Sequence, residues 1–296
     1  MQCESYVHGS GGAPLIGKAI GALLDEVSAM HGSREALVVA HQKVRWTYAE
    51  LKSRSDGYAS GLLALGLEPG DWVGIWSPNC AEWTAAQFAT AKAGLILVNI
   101  NPAYRLGELE HVSRAVGCRA LITADHLKSS NYIAMIRELV PELGTGSGEL
   151  HSARLPELRH VISIAGKHDG CLTFDSILER SKHAGNNRLE SLSASLQMDD
   201  VANIQFTSGT AGLPKGATLS HHSDQQRILR RRSNRDRARF SRAAVPLLWH
   251  GDGQSRLRHP CGYDGLSNRF LRSAENPGGH RGTSSMSLVV SWATGH

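Results

Sequence analysis

Long apolar runs are absent from this 296-residue sequence. No stretch approaches the ~18 consecutive apolar residues of a membrane-spanning helix, so we expect a soluble protein with no membrane span. The five cysteines are odd in number and scattered, which argues against a disulfide framework and against a zinc knuckle. The 15 histidines include no His-Glu-x-x-His spacing, and we therefore assign no metal-binding residues.

Lysine is absent from residues 223–296, although eight lysines precede them. The same segment holds 13 arginines against five acidic residues. One interpretation is a non-enzymatic basic protein whose tail binds nucleic acid. We favour another, because arginine without lysine, beside serine and glycine, is typical of a GC-rich coding region read in a shifted frame or altered by splicing. With little apolar periodicity, this tail is predicted to be disordered.

A segment rich in hydroxyl groups and glycine, Thr207–Gly216, carries the clearest chemical signal. Its sequence is Thr-Ser-Gly-Thr-Ala-Gly-Leu-Pro-Lys-Gly. Glycines let backbone N–H groups converge on one anion, the hydroxyls add donors, and Lys215 adds a mobile positive charge. The preceding run, Val201 to Phe206, is predicted to be a strand that holds the loop at the edge of a sheet. The pattern therefore predicts a phosphate-binding loop in a nucleotide site.

This loop lacks the Walker spacing, in which Gly-Lys is followed by Ser or Thr. It resembles instead the phosphate loop of the adenylate-forming (AMP-binding) superfamily, which includes acyl-CoA synthetases, luciferases and peptide-synthetase adenylation domains. Nine of the ten positions agree, and the departure is Ala211, where the family usually has a second hydroxyl. The resemblance implies that the phosphates are bound by Thr207, Ser208, Gly209, Thr210, Ala211, Gly212 and Lys215.

Other segments follow in the order in which these ligases begin. They are Arg34–Val38, Thr47–Leu51, Gly66–Asp71, Trp76–Asn79, Ala93–Val98 and Asn101–Tyr104. Together with Gly216–His221, they are most similar to the medium-chain acyl-CoA synthetases over about residues 5 to 222. We therefore predict a lead-in over residues 1–32, a truncated AMP-binding N-terminal domain over 33–222 that ends with the phosphate loop, and a non-family tail over 223–296.

The resemblance implies an acyl-CoA synthetase that converts a fatty acid, ATP and CoA into acyl-CoA, AMP and pyrophosphate, with Mg²⁺ bound alongside ATP. It also implies a mitochondrial location, although Met1 to Val27 shows no arginine-rich presequence. The family's adenine-stacking and magnesium-binding run, its ribose-binding aspartate and its C-terminal catalytic lysine have no counterpart here, so we expect this chain to be inactive. An aryl- or luciferin-type adenylating enzyme stays open, because the acid pocket lies mostly beyond residue 222.

Strand and helix patterns alternate from residue 36 onward. Thr47 and Glu50 predict a capping box for a helix that ends at Gly66, and Asn79 and Glu82 are expected to cap the next helix. The alternation predicts an α/β fold with a parallel sheet flanked by helices, the incomplete N-terminal subdomain of an adenylate-forming ligase.

Two stretches, 142–154 and 182–195, are interpreted as loops or insertions. The tryptophans at positions 46, 72, 76 and 83 are expected to pack in the core rather than to line an acyl site, and Cys80 and Cys118 are expected to be buried and unreactive.

Overall fold

The computed structural model describes residues 17–144, 150–182, 186–206, 213–224 and 255–257. In chain order, the helices and strands are α1 (Ile20–His31), β1 (Glu35–Val39), β2 (Val44–Thr47), α2 (Tyr48–Ala64), β3 (Trp72–Trp76), α3 (Ala81–Lys92), β4 (Ile96–Ile100), α4 (Leu106–Val116), β5 (Ala120–Thr123), β6 (His126–Leu127), β7 (Ser130–Asn131), α5 (Tyr132–Leu139), β8 (His160–Ser163), β9 (Leu172–Thr173), α6 (Phe174–Ser181), α7 (Asn186–Ser195), β10 (Val201–Phe206), β11 (Gly216–Ser220) and β12 (Ser255–Leu257).

A seven-stranded sheet forms the centre of the fold, with the order β11-β10-β4-β3-β5-β8-β9. All neighbouring strands from β10 to β9 are parallel, and only β11 pairs antiparallel, with β10. The strands β3 and β4 are almost wholly apolar, as expected for strands covered on both faces. The predicted α/β architecture with a mostly parallel sheet is therefore confirmed.

Helices cover both faces of this sheet. Side chains of α1, α2, α3 and α6 pack in one apolar cluster with Val73 and Ile75, whereas α4 and α5 pack in a second cluster with Trp76 and Val98. Trp46, Trp76 and Trp83 are buried and Trp72 packs against the second cluster, so the predicted core role of the tryptophans is confirmed. None of the helices in the described part of the chain is long and apolar enough to cross a membrane.

Helix α2 begins and ends as its sequence predicts. The Thr47 hydroxyl accepts a hydrogen bond of 3.2 Å from the Glu50 backbone N–H, and the Glu50 carboxylate accepts one of 2.7 Å from the Thr47 N–H. This reciprocal pair is the predicted capping box, and it satisfies two N–H groups that the helix leaves open. Gly66, at a φ of +87°, follows the last turn in a left-handed conformation that favours glycine.

Two local predictions are wrong. Residues 182–195 do not form only a loop, because Asn186–Ser195 is helix α7, whose Leu189 and Leu192 pack against the core beside α1, α2 and α3. Asn79 is not the cap of α3: the cap residue is Cys80, whose Sγ accepts the Trp83 N–H at 3.3 Å. Sulfur is a weak acceptor and is not a usual capping group, so the sequence pattern favoured the neighbouring amide.

A smaller antiparallel sheet contains β1, β2 and β12, with β1 in the middle. Strand β12 is three residues of the arginine-rich tail, and it pairs Leu257 with Leu37 and Ser255 with Val39. Nothing in the sequence pattern predicted this pairing. Residues 225–254 and 258–296 lie outside the described part of the chain, and so the prediction that they are disordered stays a prediction.

An ion cluster around one buried lysine joins three helices, α1, α2 and α3. The Lys92 side chain is only 3 % exposed, and its Nζ lies 2.6 Å from the Asp25 carboxylate and also contacts the Asp56 carboxylate. Lys52 lies 2.5 Å from Asp56 and 3.4 Å from Asp25. A buried ammonium is tolerated because carboxylates surround it, and the cluster therefore fixes α1 against α2 and α3.

Candidate phosphate-binding site

The predicted phosphate loop connects the two strands of a hairpin at one edge of the central sheet. Strand β10 ends at Phe206, β11 begins at Gly216, and these two residues are register partners. Because β10, β4, β3, β5 and β8 are parallel, their carboxyl ends lie along the same side of the sheet. Phe206, the residue before the loop, is at the carboxyl end of β10. Ligands of open α/β sheets bind outside this edge of the sheet.

Of the seven predicted phosphate-binding residues, the structure describes Lys215. It is exposed and lies immediately before β11, after the buried Pro214. Thr207, Ser208, Gly209, Thr210, Ala211 and Gly212 lie outside the described residues, so their assignment stays a prediction.

Gly216 lies where two side chains of β10 approach the backbone of β11 closely. A Cβ atom added there would lie 3.2 Å from the Ile204 Cγ2 and 3.3 Å from the Phe206 ring. These contacts are tighter than ordinary van der Waals separation, so a larger residue would require the Ile204 and Phe206 side chains to shift by a few tenths of an ångström. The glycine that ends the sequence motif therefore has a structural reason in addition to its place in the loop.

An amide pair links β10 to β4, the second and third strands of the sheet counted from β11. The Asn99 Nδ2 donates a hydrogen bond of 3.0 Å to the Asn203 Oδ1, and Asn203 is buried. Register pairing places Gln205 beside Asn99. Sequence analysis missed these amides, although three polar residues within two otherwise apolar strands were a visible signal. They tie the strand that carries the loop to the neighbouring strand.

The turn after β4, the strand that pairs with β10, is fixed by two aromatic side chains. The Trp76 Nε1 donates to the Asn101 carbonyl at 3.2 Å, and the Tyr132 hydroxyl donates to the Pro102 carbonyl. The two rings are fully buried and stack with centroids 3.8 Å apart. Burial raises the pKa of the Tyr132 hydroxyl well above its usual range, so this hydroxyl stays a donor.

A second polar cluster that sequence analysis missed lies at the same edge, after β5 and β8. The Ser163 hydroxyl donates to the Asp125 carboxylate at 3.0 Å, and the His168 Nε2 lies 3.0 Å from the same oxygen. Among residues 17–144, 150–182, 186–206, 213–224 and 255–257, no three His, Cys, Asp or Glu side chains are grouped as a metal site requires.

The cysteine thiols of the described core are poorly suited to nucleophilic chemistry. Burial raises the pKa of both Cys80 and Cys118 to about 12, so neither forms a thiolate near neutral pH. This agrees with the expectation that both cysteines are buried and unreactive.

Comparison with known proteins gives a consistent picture. The sequence model of the AMP-binding enzyme family matches residues 24–242. Medium-chain acyl-CoA ligase ACSF2, mitochondrial, is 42 % identical over 221 residues in Rattus norvegicus and 43 % identical over 221 residues in Homo sapiens. Each alignment covers 74 % of this chain and 36 % of the relative, so the chain spans about a third of the length of the curated relatives it matches.

Solved structures agree with the fold. The MbtA apo structure from Mycobacterium smegmatis has a TM-score of 0.58 and 26 % identity, and covers 71 % of this chain and 35 % of that one. The anthranilate CoA ligase AuaEII in complex with anthranoyl-AMP has a TM-score of 0.56 and 22 % identity, and covers 71 % of this chain and 36 % of that one. None of these matches supports the nucleic-acid-binding alternative.

Proposed function

The chain belongs to the family of AMP-binding enzymes, and from this premise we propose that it binds the phosphates of ATP as part of an acyl-CoA synthetase. The observation that carries the proposal is the hairpin of β10 and β11, which presents the family's loop sequence at the carboxyl edge of a parallel sheet. Lys215, which directly precedes β11 at the loop end of that hairpin, supplies the positive charge.

The reaction gives the loop a defined task. A carboxylate oxygen of the acid forms a bond to the α-phosphorus of ATP, the bond from that phosphorus to the bridging oxygen breaks, and pyrophosphate leaves with the bridging oxygen. Charge builds up on the departing β- and γ-phosphates, so N–H groups, hydroxyls and an ammonium aimed at them lower the barrier. We assign this task to Thr207, Ser208, Thr210 and Lys215, with Gly209 and Gly212 allowing close approach of the backbone.

Ala211 replaces a hydroxyl that the family usually has, and so one donor to the phosphates is missing in the proposed site. Mg²⁺ would supply charge neutralisation to the bound phosphates, and the described residues offer no cluster of acids to assign to it. CoA would supply the thiol that displaces AMP from acyl-AMP.

The finer assignments follow the relatives. The curated relatives are named medium-chain acyl-CoA ligases and mitochondrial. We extend both to this chain, with a medium-chain fatty acid as the substrate of the complete reaction and the mitochondrion as its location. Imaging of the tagged chain beside a matrix marker tests the location.

We further propose that these 296 residues bind MgATP without forming acyl-AMP. The adenine-binding, ribose-binding and catalytic-lysine segments of the family have no counterpart in residues 223–296, which we interpret as a frameshifted or alternatively spliced segment after the domain of residues 33–222. Pyrophosphate exchange with octanoate and ATP should not exceed that of denatured protein. Exchange above that control would contradict this part of the proposal, and sequencing of the transcript tests the origin of the tail.

A binding experiment tests the phosphate site itself. Titration of the intact chain with MgATP by calorimetry should give binding that Lys215→Ala weakens about ten- to a hundredfold, since a hydrogen bond to a charged group contributes about 1.5 to 3 kcal/mol. Lys182→Ala is the matched control, because Lys182 is an exposed lysine that pairs with Glu179 on α6. Equal affinity in Lys215→Ala and Lys182→Ala would overturn the assignment of Lys215.

A further inference from the structure

Helix α1 begins without a cap of its own. Its cap residue is Ala19, which has no side-chain acceptor, and the first N–H groups of any helix lack a partner within that helix. The backbone N–H of Ile20 instead donates to the Nδ1 atom of His221 at 3.3 Å, across 201 positions of sequence. A side chain from the far end of the domain therefore takes the place of a local cap.

His221 lies at the open end of the hairpin of β10 and β11, opposite the phosphate loop. Its backbone N–H donates to the Asp200 carbonyl at 3.1 Å, and the next N–H, of His222, donates to the Met198 carbonyl at 2.8 Å. Asp200 directly precedes β10, and His221 directly follows β11. We call the residues 198–200 and 221–222 the hairpin base.

The contact requires a neutral imidazole with its lone pair on Nδ1. Both partners are buried, with Ile20 at 2 % and His221 at 1 % exposure, so no water replaces the bond without a change in packing. Burial also lowers the pKa of His221 to about 4, although the charge of Asp200 acts in the opposite direction and raises it. The ring is therefore neutral at physiological pH.

Helix α1 is held firmly in its middle as well. Its Asp25 lies 2.6 Å from the buried Lys92 of α3 and 3.4 Å from Lys52 of α2. The helix thus connects two places: the ion cluster within the helical layer and the hairpin base. A rigid helix fixed at both places transmits the position of the helical layer to the hairpin.

We infer that His221 is a positioning residue, which caps α1 and thereby fixes the base of the hairpin that carries the phosphate loop. The inference rests on the proposed function for its consequence in ATP binding, whereas the contact and its effect on the hairpin stand apart from it. The ring touches no reacting atom in this account, and it acts through α1, the hairpin base and the two strands.

Amide hydrogen exchange of the intact chain, resolved by NMR, tests the inference. In His221→Leu, which fills the space and removes the acceptor, exchange of the Ile20 amide and of the Leu219 amide should accelerate about five- to tenfold. In His221→Asn, whose carbonyl keeps an acceptor near the place of Nδ1, both rates should stay within about twofold of the original. His222→Leu is the matched control in the same turn, and it should leave both amides unchanged.

The outcomes separate the possible roles of the ring. Acceleration at Ile20 but not at Leu219 in His221→Leu would overturn the effect on the hairpin, and unchanged exchange at both would overturn the inference entirely. If His221→Leu does not fold, the ¹⁵N shifts of the original ring decide: a protonated Nδ1 at neutral pH would refute the contact, and an unprotonated one supports it. MgATP titration of the same variants is read separately, since failure of the unsubstituted chain to bind MgATP would refute the proposed function and leave the exchange result valid.

Discussion

Acid should destabilise this protein through one buried ring. His221 has a pKa of about 4 in the fold against about 6.5 for an ordinary histidine, because burial disfavours its charged form. Below about pH 6.5 the unfolded chain takes up a proton at this position and the folded chain does not. Stability that is fully present above the ordinary pKa is therefore lost as the pH falls towards 4.

The magnitude follows from the size of the shift. Each pKa unit corresponds to about 1.4 kcal/mol, so the full effect of His221 is about 3 kcal/mol, of which about 2 kcal/mol is lost between about pH 7 and pH 4.5. The charge of Asp200 raises the pKa of His221, and the same turn contains two more titratable groups, His222 and Asp224. Those groups are present in the variant as well, and so they cancel in the comparison below.

Urea denaturation at several pH values measures the effect against His221→Asn, which keeps an acceptor but does not titrate. The original chain should lose about 2 kcal/mol more unfolding free energy than the variant between about pH 7 and pH 4.5. If the unfolding free energies of the two proteins changed equally with pH, His221 would be protonated in the fold or accessible to water. Either result would refute the buried, neutral ring that caps α1.

Two further stability predictions use other parts of the fold. Lys92→Met should lower the free energy of unfolding by about 2 kcal/mol, because it removes the buried ammonium that the Asp25 and Asp56 carboxylates share. A loss under about 0.5 kcal/mol in chemical denaturation would contradict a structural role for the ion cluster. Gly61→Ala should cost about 2 kcal/mol or more, because its Cβ would lie 2.0 Å from a backbone oxygen of α6. Gly107→Ala, in the open first turn of α4, is the matched control and should gain up to about 1 kcal/mol; equal thermal midpoints for the two alanine variants would refute the packing of α2 on α6.

Local sequence signals predicted much of the fold. Strand β10 was predicted from the run Val201 to Phe206, and the capping box of α2 from Thr47 and Glu50, because neighbouring residues determine both features. Helix α7 was missed because most of its residues are polar, and its two leucines gain their meaning only from the core they contact. Strand β12 was missed because three residues carry too little pattern to be assigned without their partner, β1.

The site divides in the same way. The chemistry of the loop was predicted from residue types alone, since phosphate binding requires glycine, hydroxyls and a cation in one short segment. The contacts between neighbouring strands were not predicted, because they depend on the order of strands in the sheet. That order brings Asn99 next to Asn203, and Trp76 next to the turn after β4. The contact of Ile20 with His221 has no local signal at all, since the two residues meet only once the domain has folded.

Pyrophosphate added to the ¹⁵N-labelled chain, with amide shifts followed by NMR, tests the central claim most directly, because it probes the phosphate site without adenine, magnesium or acid. The largest and saturable shifts should fall on the amides of Thr207–Gly216, with smaller ones at the ends of β10 and β4, and Lys215→Ala should weaken the response about tenfold or more. Shifts confined to the arginines of residues 223–296, or no saturable shifts in Thr207–Gly216, would contradict the assignment of this hairpin loop to the phosphates.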